Sequence, residues 1–137
     1  MKIALIGATG FVGRPLLDEL LSRGHHVTAL QRQPGKLPSH ERLVAVQADV
    51  QNEADVAHAA EGHDLVISAF NPGWNDPELY ARFASGARAI VAGVKRARVP
   101  RLIVVGGAGS LFVAPGVQLV DTPAFLDHVP PNIVPGA

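Results

Sequence analysis

The stretch IALIGATGFVGRPLLDEL, residues 3–20, sets an apolar run against three glycines spaced three apart, Gly7, Gly10 and Gly13, and then continues into leucines. Glycine serves where backbone must take a positive φ or where something must approach closer than a Cβ permits. The run before it reads as a strand, and Leu16, Leu17, Leu20 and Leu21 after it form one helical stripe. The glycines therefore predict a strand-turn-helix corner. Gly7 suits the tight turn, Gly10 the close approach of a ligand, and Gly13 the packing of helix on sheet. Such a corner points unpaired N–H groups and a partial positive charge at one spot, which suits a pyrophosphate. The expected donors are the backbone groups of Gly10, Phe11 and Val12, with the Thr9 hydroxyl nearby and the side chains of Phe11 and Val12 in the core. The G-x-x-G-x-x-G spacing is not the G-x-G-x-x-G fingerprint, so context carries the reading.

That context recurs along the chain. Short, nearly all-apolar runs at Lys2–Ile6, Val27–Leu30, Leu43–Val46, Leu65–Ala69 and Leu102–Val105 read as strands buried on both faces, the pattern of a parallel sheet. Pro15 falls in the first turn of the first helix and Gly24 just past its end. Asn52–Ala60 reads as a short helix capped near Asn52 or Gln51, with Val56, Ala59 and Ala60 on one side. Asp76-Pro77-Glu78 reads as cap, first helical position and acidic first turn of a long helix ending near Arg98. Its basic end, Lys95, Arg96 and Arg98, complements the helix dipole. With right-handed crossovers this order gives an α/β, Rossmann-type doubly wound parallel sheet of order 3-2-1-4-5 in three αβα layers.

Residues 1–110 are thus expected to form an NAD(P)-binding Rossmann domain. Residues 111–137 hold five prolines and no Lys or Arg. They read as a proline-rich extended tail packed against something and as the start of an incomplete C-terminal substrate region. Twelve basic residues balance twelve acidic ones, so no net field favours nucleic acid or an anionic membrane, and the expected partner is a small molecule. Oligomeric state is left open. With no Cys, thiolate metal sites and Cys nucleophiles are excluded. The six His form no metal-binding motif, and no G-x-S-x-G elbow suggests a hydrolase. Nothing resembles a signal peptide or an 18-residue apolar span, and a soluble cytoplasmic protein is expected.

At the end of the second strand, where NAD-preferring sites place an acid on the ribose 2′-hydroxyl, the chain reads TALQRQPGKL, with no acid. An Arg there pairs a 2′-phosphate, so Arg32 favours NADPH, with NAD possible; the alternative is a solvated loop charge. Asp49 and Val50 fall where the adenine would rest, although Asp49 equally suits a turn. Ser68, Ala69 and Phe70 close the fourth strand at the carboxyl edge, where open α/β sheets bind ligands. Trp74, in FNPGWNDP, reads as a lid or as a surface aromatic.

Together GATGFVGRPL, VTALQRQPGKL, ADVQNEADVAHAAEGHDLVISA and SGARAIVAGVKRARVPRLIVVGGAGS resemble the atypical short-chain dehydrogenase/reductase group, which includes NmrA-like proteins and NADH-flavin reductases. The resemblance covers residues 1 to about 122 and extends to GGAGSLFVAPGVQLVDTP. It implies dinucleotide contacts at Gly7, Thr9, Gly10, Phe11, Val12, Gly13 and Arg32. It also implies nicotinamide-side contacts at Ser68, Ala69 and the loop from Gly106 to Ser110. One departure concerns catalysis. Short-chain dehydrogenases commonly use Tyr-x-x-x-Lys, in which the Lys lowers the tyrosine pKa; the only Tyr here is Tyr80, and Ala84 stands four residues on. Tyr80 then reads as packing or cleft lining. Ser110 is the best remaining hydroxyl to orient an acceptor, unless it only caps a turn.

The expected function is an NAD(P)H-dependent, NADPH-preferring reductase passing hydride to a flavin-like, quinone-like or similar acceptor, a chemistry in which positioning counts for more than protein acid catalysis. The alternatives are a non-catalytic NADP-sensing NmrA-like binding protein and a sugar-nucleotide epimerase or dehydratase.

Overall fold

The structure is a computed structural model describing residues 1–33, 35–73, 75–106 and 111–127. Five parallel strands form one sheet: β1 (Lys2–Ile6), β2 (His26–Gln31), β3 (Leu43–Gln47), β4 (Leu65–Ser68) and β5 (Leu102–Val104). Their order is β3-β2-β1-β4-β5, as the sequence predicts. β1 lies at the centre. Ile3 faces Val27 of β2 on one side and Leu65 of β4 on the other.

Alternate residues of each strand feed two separate cores, which is why the central strands must be apolar throughout. On one face Ala4, Ile6, Leu30 and Val66 meet Val56 of α2 (Glu53–Ala60) and Ile90 and Val94 of α3 (Leu79–Arg96). On the other, Ile3, Leu5, Val27, Ala29, Leu65 and Ile67 meet Leu17 and Leu21 of α1 (Gly13–Ser22). β2 reaches β3 through a loop with no helix, so α1 is the helix on that face among the described residues.

Several local signals act as expected. After α1, Gly24 takes φ +82°, and the amides of Gly24 and His25 donate back to the carbonyls of Leu21 and Leu20 in a Schellman closure. The same closure ends α3, with Arg98 in the left-handed position at φ +57°. Asn52 caps α2, its Oδ1 accepting from the Asp55 amide at 3.2 Å.

Three expectations need correction. β3 and β5 are edge strands and not buried on both faces: Val44 is 58% exposed and Val104 55%. α3 starts at Leu79, later than the Asp76 cap implies, because the Asp76 carboxylate accepts from the Glu78 amide at 2.8 Å and holds Asp76–Glu78 in a turn of its own. Over its described residues, 111–127, the tail is not one continuous extended segment either. Phe112–Ala114 (β6) and Val117–Gln118 (β7) pair antiparallel about a turn where Gly116 has φ +75°, and Phe112 and Val113 remain exposed. A 3₁₀ turn at Leu119–Asp121 and α4 (Pro123–Leu126), capped by Thr122, follow.

Candidate functional site: the glycine corner at the carboxyl edge

The three glycines do different work. At Gly7, with φ +83°, an added Cβ would stand 2.5 Å from the Ala69 carbonyl oxygen, so the turn abuts the end of β4 and has no room there. At Gly13 an added Cβ would overlap the Gly7 carbonyl, so this glycine lets α1 start directly over the turn. Gly10 has neither restriction. Its φ is ordinary, and an added Cβ would meet only the Gly7 oxygen, at 3.4 Å. The fold requires Gly7 and Gly13. Nothing in the local packing requires a glycine at position 10.

The amide of Gly10 donates to the Gly7 carbonyl at 3.1 Å and so closes the turn, which removes it from the expected donor set. Arg14 donates to Gly10, and Leu16 to Val12. The amides of Phe11, Val12 and Gly13 have no acceptor among the described residues. Val12 occupies the N-cap without a capping side-chain bond, and the first turn of α1 carries no acidic residue. The result is an unneutralised helix N-terminus with converging free amides, which fits an anionic phosphate group. Thr9 is exposed beside it.

The side chains of Phe11 and Val12 are not in the core. Phe11 is 95% exposed and Val12 42%, because the helix starts at Gly13 and both residues project outward from the turn that precedes it.

Arg32 follows β2 at the same edge, exposed and with no acidic partner within 4 Å among the described residues. Before it stands Gln31, which sequence reasoning did not single out. Its side-chain oxygen is shut off from water and has no hydrogen-bond partner among the described residues. Such a buried orphan costs on the order of 1–3 kcal/mol. The signal was visible in the sequence, since Gln31 occupies the place where an acid was sought and missed.

Asp49 behaves as a turn residue: its Oδ1 accepts from the Gln51 amide at 2.9 Å, while its own amide donates to Asp55. Val50 packs on the core beneath α2 and α3. Ser68 is buried, its Oγ near the Phe70 amide at 3.4 Å, and Ala69 donates to the Ile6 carbonyl. The end of β4 is thereby fixed against the glycine turn. The Phe70 ring stacks on Phe83 at 6.1 Å between centroids and 14° between planes. Tyr80, one turn earlier on α3, is 56% exposed. Gly106 follows β5, exposed, with open space at its Cα. Ser110, the rest of its loop and Trp74 lie outside the described residues.

A cavity of about 540 Å³ opens elsewhere, beside β2 and β3, lined by Lys2, His26, Thr28, Val44, His58 and His63. It includes no residue of the glycine turn. His63 is tied down there, Nε2 to the Thr28 hydroxyl at 2.8 Å and Nδ1 to the Ala60 carbonyl at 3.0 Å. Among the described residues no cluster of three or more His or carboxylate groups could hold a metal, and no helix is long and apolar enough to cross a membrane.

Comparisons with known proteins agree with this geometry. A family model described as NAD(P)H-binding matches residues 7–129. The uncharacterized protein YwnB of Bacillus subtilis is 38% identical over 127 residues, covering 91% of this chain and 57% of that protein. The crystal structure of a candidate epimerase from Bacteroides thetaiotaomicron superposes with a TM-score of 0.82 at 47% identity, covering 96% of this chain and 57% of that one. That of a candidate NADH-flavin reductase from Streptococcus pneumoniae gives 0.69 at 32%, covering 91% and 57%. The chain thus spans little more than half the length of these relatives. With the match running from the first glycine of the turn to beyond α4, the chain belongs to the NAD(P)H-binding family, and its fold is that of the atypical short-chain dehydrogenases/reductases.

Proposed function

We propose that this chain is the dinucleotide-binding part of an NADPH-preferring oxidoreductase that delivers hydride to a small planar acceptor of the flavin or quinone type. The observation that carries the reading is the α1 corner, where the free amides of Phe11, Val12 and Gly13 face a turn cleared by Gly10. Those amides would hold the pyrophosphate, with Thr9 beside them. Arg32 would pair the 2′-phosphate, Asp49 and Val50 would border the adenine, and Ser68, Ala69, Phe70 and Gly106 would line the nicotinamide side. The chemistry a bound dihydronicotinamide supplies is hydride donation.

The residues of this chain contribute position. Contact of the Gly7 turn with Ala69 fixes the end of β4 against the phosphate cradle, and the stacked Phe70 and Phe83 stiffen the segment that follows. Tyr80 has no Lys four residues on, so no phenol is primed there as a proton donor. An acceptor whose reduced form takes its proton from water fits that arrangement better than a ketone needing protein acid catalysis. Ser110 remains the hydroxyl proposed to orient the acceptor, and residues 111–137 the beginning of its binding region. The compartment proposed is the cytoplasm.

The test is dinucleotide oxidation by the full-length protein with FMN, riboflavin or a quinone added. Turnover with NADPH supports the reading. Saturable NADPH binding without turnover on any acceptor would replace it with an NADP-sensing binding protein. Arg32→Glu is expected to weaken NADPH by about a hundredfold while changing NADH little; equal losses on both would remove the 2′-phosphate role.

A further inference from the structure

From Leu79 to Val120 the chain carries six of its twelve Lys and Arg residues and no Asp or Glu, so a chain of zero net charge is sharply divided. Four of those cations, Lys95, Arg96, Arg98 and Arg101, cluster where α3 ends and β5 begins, at the sheet edge opposite the glycine corner. None has an acidic partner within 4 Å among the described residues. A helix C-terminus is stabilised by positive charge, which accounts for cations there but not for where Arg98 stands. Arg98 takes φ +57°, the left-handed position that closes the helix and that glycine fills at least cost; after α1 the same position holds Gly24. Arginine occupies a place where the backbone favours glycine.

Arg96 and Arg98 line a cavity of about 430 Å³ between α2 and the end of α3, within the size range of small-molecule sites. α2 contributes the methyls of Ala54 and Ala57, which leave it open, together with His58 and Glu61. Glu61 makes no ion pair within 4 Å among the described residues, so neither guanidinium is neutralised. Guanidinium forks match phosphate oxygens in geometry as well as in charge.

We propose that this cavity is a binding site for a phosphate dianion, free or carried as a monoester by a small molecule, held between Arg96 and Arg98. Lys95 and Arg101 add to the positive field that draws it in. The site shares no residue with the glycine corner and does not rest on the dinucleotide reading.

The experiment is an amide NMR titration of the full-length protein at constant ionic strength with inorganic phosphate and with glycerol 2-phosphate, chloride serving as control. Saturable shifts at Ala57, His58, Ala97 and Arg98 with either anion and not with chloride support the site, and the tighter of the two anions assigns the source of the phosphate. Arg98→Gly is expected to weaken binding about tenfold or more while its Tm equals or exceeds that of the wild type, because glycine relieves the left-handed backbone. Arg96→Gln should weaken binding likewise. Shifts confined to Phe11, Val12 and Gly13, or shifts as large with chloride as with phosphate, overturn the proposal and leave the glycine corner untouched. So does an Arg98→Gly variant that binds both anions as the wild type does, whatever its Tm.

Discussion

Two strand-to-helix corners at the same sheet edge, β1 to α1 and β3 to α2, meet the same electrostatic problem and solve it differently. At α2 the chain supplies its own anions: Asn52 caps the helix, Glu53 and Asp55 sit in its first turn, and Asp55 also accepts the amide of Asp49. At α1 the first turn has no capping side-chain bond and no acid, and three amides lack an acceptor among the described residues. A helix N-terminus becomes a phosphate site only where the protein's own side chains do not fill it. In the function proposed above the α1 corner serves binding, and the α2 corner serves stability.

Three substitutions test this contrast. Gly13→Ala carries the largest expected effect. The new methyl would overlap the Gly7 carbonyl, and a cost above about 4 kcal/mol is expected, read as loss of soluble protein or of the cooperative thermal transition. A variant with wild-type Tm would show that α1 shifts freely, so that its start is not fixed by the turn.

Val12→Asp gives the α1 corner an acid like those of α2. Stability should rise by roughly 0.3–1 kcal/mol through the helix dipole, while affinity for NADPH and NADH falls about tenfold or more for each. Opposed movements in chemical denaturation and in ligand titration are the signature; parallel ones would break the comparison. Asn52→Ala is the smallest. It should cost about 1 kcal/mol, a drop in Tm of about 2–6 °C, and leave dinucleotide affinity unchanged. A loss of binding there would mean that the two corners are coupled.

How much of this could be read from the chain depends on how local the cause is. The five strands, their order, the Asn52 cap and the Gly24 closure follow from neighbouring residues or from uniform burial, and each was legible. The exposure of Val44 and Val104 was not, because an all-apolar strand reads the same whether or not a neighbour covers it. Asp76 misplaced the start of α3 because its carboxylate serves a turn as well as it would a cap. In the site, glycine spacing located the corner, but only geometry separates Gly10 from Gly7 and Gly13. That Phe11 points outward depends on its place in the turn before the helix, which begins at Gly13. Gln31 was passed over because the expectation there was of an acid.

The central position of β1 also bears on the order of assembly. Of the five strands β1 is made before the others, yet its partner on β4 follows 62 residues later, Ile3 beside Leu65. Until then one flank of β1 can pair with β2 while the other stays unsatisfied, since pairing so distant in sequence is slow to form. The first of the five strands to be made is thus among the last completed, and chaperone protection during translation matters most over that interval.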